Sequence, residues 1–180
     1  KSLATTLRQH GYQTWHLGKW HLGPEKYWPE NHGFDINIGG CGYGAPWGRG
    51  GWFPPHDLPN LPEGPEGQYL TDRLTDEAIG YLDRKSDDPF FLYLSYYVVH
   101  TPIIGPSQET ARFRKKLDEH PELKNAIRPQ AAYAAMHSAL DDSVGRIVNK
   151  LKELGEYENT IIVLTSDNGG HFHETCGGLR

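Results

Sequence analysis

The run Gly18-Lys19-Trp20-His21-Leu22-Gly23 sets an ammonium and an imidazole two residues apart, between glycines. In extended backbone, side chains at i and i+2 point the same way, so Lys19 and His21 can converge on one target. A fixed cation beside an imidazole suits an oxyanion such as sulfate or phosphate. The glycines let the backbone turn sharply there. A surface lysine with a structural histidine is the plain alternative. The glycines on both sides and the place at the end of an apolar run move the weight to the anion site. His100-Thr101-Pro102 closes a second apolar run. A histidine at such an exit can give a proton, hold an anion or bind a metal, and Pro102 biases Thr101 toward extended backbone. The alternative is a histidine that satisfies loop backbone groups. Ser166-Asp167-Asn168-Gly169-Gly170 closes a third run. The Asp167 carboxylate beside the Asn168 amide oxygen offers hard ligands for Ca²⁺ or Mg²⁺, although Asp-Asn-Gly is also ordinary turn chemistry.

Other residues weigh less. His171, His173, Glu174 and Cys176 form a compact group that could bind Zn²⁺, but their spacing matches no firm zinc signature, and a loop cluster or substrate-facing edge is favoured. His137 lies one position from an apolar helical stripe and reads as structural or exposed; Asp141-Asp142 reads as a solvated face. Cys41 has no clear base beside it, which argues against a thiol nucleophile.

These groups must be positioned by the elements that precede them. Ser2-His10 reads as a helix stopped by Gly11, followed by a strand over Tyr12-Leu17. Tyr69-Arg84 repeats the plan, with Leu70, Leu74, Ile79 and Leu82 near one stripe and Thr71 or Thr75 near its start. Pro89 breaks it, and Phe90-Val99 reads as a strand buried on both faces. Gln130-Leu154 is the longest helix, ended by Gly155, and Thr160-Thr165 is an almost wholly apolar strand. Helix then buried strand, three times over, predicts an α/β fold with a mostly parallel sheet flanked by helices. In such sheets ligands bind beyond the carboxyl ends of the strands, where the three polar runs fall. Ser107-Asn125 reads as a charged surface helix. Residues 39–67 hold nine of the 21 glycines and six of the 13 prolines, with Trp47, Trp52 and Phe53. So long a loop predicts a lid or insertion whose aromatics either shape a cleft or pack down on the core.

Net charge is -5 with pI near 6, which argues against a general nucleic-acid or membrane-surface binder, so an anionic substrate needs a local cationic site. No apolar run approaches the ~20 residues that span a bilayer. Two cysteines are too few for a disulfide scaffold. The chain opens on Lys1 in what reads as helix, so it is expected to be an internal segment of something longer.

Together these residues resemble the formylglycine-dependent sulfatases of the alkaline phosphatase superfamily. Leu7-Arg8-Gln9-His10-Gly11-Tyr12-Gln13-Thr14, running into Gly18-Lys19-Trp20-His21-Leu22-Gly23, is similar to a sulfatase signature. His32-Gly33-Phe34-Asp35 resembles the next block, Pro89-Phe90-Phe91-Leu92-Tyr93 with His100-Thr101-Pro102 the strand and its histidine. Leu140-Asp141-Asp142-Ser143-Val144-Gly145 with Asn159-Thr160 and Thr165-Ser166-Asp167-Asn168-Gly169 resembles the helix, strand and metal loop. The resemblance implies hydrolysis of sulfate monoesters, with a sulfated carbohydrate favoured. It implies that Lys19 binds the sulfate and the catalytic aldehyde hydrate, that His21 orients or deprotonates that hydrate, and that His100 contacts the sulfate and helps protonate the leaving oxygen. Asp167 and Asn168 would ligate Ca²⁺ or sometimes Mg²⁺. An exported or lysosomal parent is also implied.

The 180 residues depart from the family in three ways. They contain no Cys/Ser-x-Pro/Ala-x-Arg motif for the formylglycine, lack the N-terminal aspartate pair, and stop before a further expected lysine. The expectation is therefore a partial sulfatase catalytic domain over residues 1–180 that is inactive alone and holds metal weakly. A phosphoesterase of the same superfamily would be separated by matched sulfate and phosphate esters. A non-catalytic glycan-binding module would keep glycan binding after Lys19→Ala and His100→Ala.

Overall fold

A computed structural model describes residues 1–47, 50–124 and 130–170. Helix α1 (Leu3–Gln9) starts at Ser2, whose hydroxyl accepts from the Thr5 N–H at 3.0 Å, and ends before Gly11 at φ +85°. That N-cap satisfies one of the helix's orphan donors. Strand β1 (Gln13–Gly18) follows and forms the middle of a three-stranded parallel sheet of order β2-β1-β3. The predicted strand there is displaced by one residue. Strand β2 (Ile36–Ile38) pairs with Trp15-Leu17. The sequence reading missed it because three residues carry too little periodicity to register.

Helix α2 (Leu70–Asp83) buries Leu70, Leu74, Ala78 and Leu82 completely, at the i, i+4 spacing that makes one apolar stripe. Its N-terminus is not capped by a threonine: the Leu70 N–H goes to the Trp52 carbonyl at 2.8 Å, and Thr75 bonds back to the Thr71 carbonyl within the helix. Strand β3 (Phe90–Ser95) runs in register with β1 from Gln13↔Phe90 to Gly18↔Ser95. It stops at Ser95 rather than Val99 because β1 ends opposite it. It is half-buried, with Tyr93 47% exposed, because it forms the outer edge of the described sheet. Helix α3 (Ser107–Glu119) is the expected surface helix, shorter at its C-terminal end, and packs on helix α4 (Gln130–Glu153), which also packs on α2. Arg146 on α4 pairs with Asp72 at 3.9 Å and with Asp76, tying α4 to α2.

The third expected strand is corrected. Thr160-Thr165 makes no ladder, and Ile161 is 92% exposed, Val163 79% and Leu164 72%. An apolar β-branched run reports a preference for pairing, but pairing needs a neighbour, and no described strand lies beside this one. Both ends are nonetheless tied down, through the Thr160 hydroxyl to the Glu156 carbonyl at 2.8 Å and through Asp167. Loop 39–67 is neither helix nor strand where described. Trp52 is buried in the core, stacked on Tyr69 at 5.4 Å, and its Nε1–H donates to the Pro102 carbonyl at 2.7 Å. Phe53 leans on the same tyrosine, and only Trp47 faces solvent. No helix among the described residues is long and apolar enough to cross a membrane.

Candidate functional site

Parallel register carries β1 and β3 out at the same sheet edge, so the runs after Gly18 and Ser95 begin side by side. Gly18 has φ +105°, and a Cβ there would lie 2.0 Å from the Ser95 carbonyl oxygen, so only glycine fits. The next residue is pinned in turn: the Lys19 N–H donates to that carbonyl at 2.7 Å. The Lys19 ammonium reaches the Asp167 carboxylate at 3.4 Å, with the lysine side chain 17% exposed and the aspartate 70%. The first and third predicted polar runs therefore meet.

His21 adopts the left-handed backbone at φ 60°, an uncommon state for a residue with a Cβ. It is held there by its N–H bond to the Cys41 carbonyl at 2.9 Å. Its ring lies on Gly44, where a Cβ would come within 2.4 Å of Cε1. His100 sits five residues past β3 and is exposed; its ring donates Nδ1–H to the Thr101 carbonyl at 2.7 Å, so its bonds stay within its own turn. It leaves from the same edge as Lys19 but does not touch Lys19, His21 or Asp167. Asn168 likewise bonds locally, donating to the Gly169 carbonyl at 2.7 Å.

Asp167 and Asn168 are oxygen donors, right in kind for Ca²⁺, which takes six to eight such ligands. They are too few alone: no cluster of three or more His, Cys, Asp or Glu able to hold a metal occurs among the described residues. The His171, His173, Glu174 and Cys176 group lies outside the described residues. Cys41 is buried, and burial raises its thiol pKa, which keeps it protonated and unsuited to nucleophilic attack. His137 is exposed and donates Nδ1–H to the Tyr133 carbonyl of its own helix at 2.9 Å; Asp141 and Asp142 are exposed on α4.

Sequence reasoning missed His16. It is fully buried within β1, between Trp20, Phe34 and Tyr93 at centroid distances of 5.0, 5.5 and 5.6 Å. Burial lowers its pKa to about 4, against partial opposition from its bonds to Asn37 and the Lys19 carbonyl, so it is neutral at pH 7. An ionisable residue between Trp15 and Leu17 in a predicted strand was the available signal. The His32-Gly33-Phe34-Asp35 block is architectural: Asp35 accepts from the Thr14 N–H and hydroxyl at 3.3 and 2.9 Å, and Gly33 at φ +96° lets Thr5 approach. An open cavity of about 700 Å³ adjoins the His21 loop, walled by Gly23, Glu25, Trp28, Cys41, Tyr43 and Leu58 among others.

The sulfatase family profile matches residues 1–179. The chain belongs to the sulfatase family. It is 33% identical over 193 residues to the uncharacterized sulfatase YdeN of Escherichia coli (strain K12), covering 93% of this chain and 32% of YdeN. It is 30% identical over 188 residues to the N-acetylgalactosamine-6-sulfatase of Mus musculus, covering 93% of this chain and 32% of that enzyme. Among solved structures, Ps i-CgsB in complex with k-i-k-neocarrahexaose superposes with a TM-score of 0.71 at 34% identity, over 93% of this chain and 40% of that chain. The parallel sheet with flanking helices is thus part of the alkaline phosphatase-like sulfatase fold. The chain spans about a third of the length of these two sulfatase relatives.

Proposed function

We propose that this chain supplies the sulfate-gripping part of a sulfatase that cleaves sulfate monoesters of carbohydrates. The observation that carries this reading is the 3.4 Å contact of Lys19 with Asp167, which draws together two loops 148 residues apart in sequence. In this reading the Lys19 ammonium neutralises charge on the sulfuryl oxygens, where a fixed cation acts on developing charge without reorganising. His21, locked by Cys41 and Gly44, presents its ring to the same anion. His100 has its Nδ1–H committed to Thr101, so any proton for the leaving oxygen comes from Nε2. A divalent cation, when bound, would offset further negative charge on the ester. Asp167 and Asn168 would supply two of its ligands, Ca²⁺ being favoured over Mg²⁺ because amide and carboxylate oxygens suit its larger, irregular shell. The formylglycine nucleophile of the family has no counterpart in these 180 residues, and no nucleophilic step is assigned to them.

The cavity beside His21, with Trp28 and Tyr43 in its wall, is the proposed seat of the alcohol part of the ester. Flat aromatic faces suit sugar rings, and two similar proteins point the same way: one is named for an N-acetylgalactosamine sulfate and one is seen with an oligosaccharide. The partner is therefore a sulfated saccharide rather than nucleic acid or a membrane, and the parent is proposed to be exported or lysosomal. Release of inorganic sulfate from sulfated oligosaccharides by the full-length parent, with matched phosphate esters as controls, tests the reading. Preference for the phosphate esters would overturn it.

A further inference from the structure

We infer that His16 and Asn37 form a buried polar hub that positions both Lys19 and His21, so that these two, although not in contact with the ester themselves, set the geometry of the sulfate grip. The inference rests on the sulfatase reading above for its catalytic consequence, but its geometry stands independently.

The bonds fix the orientation of the Asn37 amide. Asn37 Nδ2–H₂ donates to the Gly40 carbonyl at 2.9 Å and to the Glu30 carboxylate at 3.1 Å. Its Oδ1 therefore faces the other way, accepting from the Gly40 N–H at 2.9 Å and lying 3.3 Å from His16 Nδ1. Both facing oxygens only accept: Asn37 Oδ1 lies 3.3 Å from Nδ1 and the Lys19 carbonyl oxygen 3.3 Å from Nε2, so the single proton of the neutral ring serves one arm of the hub in either tautomer. Nε2 also faces the Ser95 hydroxyl at 3.2 Å, and that hydroxyl donates to the Lys19 carbonyl oxygen at 2.5 Å. The Lys19 carbonyl thus faces both the Ser95 hydroxyl and His16 Nε2, while the Ser95 carbonyl takes the Lys19 N–H at 2.7 Å.

The other arm of the hub runs through Gly40. Asn37 grips both the N–H and the carbonyl of Gly40. The next residue is Cys41, whose carbonyl holds His21 in its left-handed backbone. Gly40 admits no side chain, since a Cβ would fall 2.3 Å from Asn37 Oδ1 and 2.7 Å from His16 Nδ1. The two segments that deliver the ammonium and the imidazole are therefore tied to one histidine–amide pair in the core. A polar network that is fully paired in a low-dielectric setting fixes one arrangement, and loss of one member leaves its partners unsatisfied.

The test uses the full-length parent and a small aryl sulfate, which reads the sulfate grip without the saccharide pocket. Ser95→Ala deletes only the bridging hydroxyl and keeps the strand. The expected result is a kcat at least tenfold lower with KM within threefold, while Ser95→Thr, which restores a hydroxyl, stays within threefold of the natural protein. His16→Gln is expected to lower kcat by a similar or greater factor at temperatures where circular dichroism shows it folded. Unchanged kcat in folded Ser95→Ala and His16→Gln would overturn the inference and leave the network as packing alone. A natural parent that releases no sulfate from any ester would instead overturn the sulfatase reading. The hub is then decided by imidazole ¹⁵N shifts: His16 ring shifts that move in both Asn37→Ala and Ser95→Ala uphold it, and shifts unchanged in both folded variants refute it.

Discussion

Acidifying the solution from pH 7 to pH 4 should destabilise this chain through His16, by an amount the structure specifies. The ring is fully buried, and burial pulls its pKa from 6.5 down to about 4. Between those two values the unfolded chain takes up a proton at His16 that the folded chain refuses. Stability is therefore fully present above pH 6.5 and is lost as the pH falls toward 4. At 1.36 kcal/mol per pH-scale step in pKa, the loss from this one histidine is about 3 kcal/mol. His56, buried and also lowered by burial, adds in the same direction, and carboxylates such as Glu109 and Glu156 add a background. The His16 share is isolated by urea unfolding of the natural chain and of His16→Gln at pH 7, 5.5 and 4. The natural chain should lose about 3 kcal/mol more than the variant across that range. Parallel losses in the two would refute the claim that a neutral imidazole is locked beneath Lys19.

Other consequences are equally checkable. Gly18→Ala forces a Cβ to within 2.0 Å of the Ser95 carbonyl at a positive φ, and should lower stability by roughly 2 kcal/mol or more in thermal unfolding. The three atoms nearest a Cβ at Gly44 all belong to the exposed His21 ring, so Gly44→Ala should leave the unfolding midpoint close to natural. It should nonetheless reduce parental sulfate release about as much as His21→Ala does, read from initial rates. Calorimetric titration of the 180-residue chain with Ca²⁺ should give a Kd on the order of 10⁻³ M or weaker, because two oxygen donors are far short of a full shell, and Asp167→Asn should weaken it further.

The elements that position the site were legible because they bury stripes or runs. Leu70, Leu74 and Leu82 announce α2, and Phe90-Ser95 announces β3, through spacing alone. The exit of β1 was legible for the same reason, and with it Lys19; Asp167 meets Lys19 from a run that makes no ladder. Pairing was not legible. Ile161-Leu164 has the composition of a buried strand yet stands exposed, since composition states what a segment prefers and not whether a neighbour is beside it. Ile36-Ile38 pairs with β1 although its three residues give no pattern. His16 was hidden because a buried neutral imidazole is defined by partners that come from Asn37 and Ser95, 21 and 79 positions away. Trp52 and Trp47 sit in the same glycine-rich loop, yet one fills the core and the other faces water, a difference set by Tyr69 and Pro102 rather than by the loop's own composition.

The central claim is that Lys19 and His100, delivered from neighbouring strand exits, act on one sulfate ester. Its most direct measurement is the rate of inorganic sulfate release by the full-length parent carrying Lys19→Ala or His100→Ala, with folding verified for each. Since the Lys19–Asp167 pair is largely exposed on the acid's side, its loss should cost less than about 1 kcal/mol of stability. Removing a group aimed at developing charge should instead lower kcat on the order of 10²- to 10³-fold. Sulfate release within a few-fold of natural in both folded variants would contradict the account.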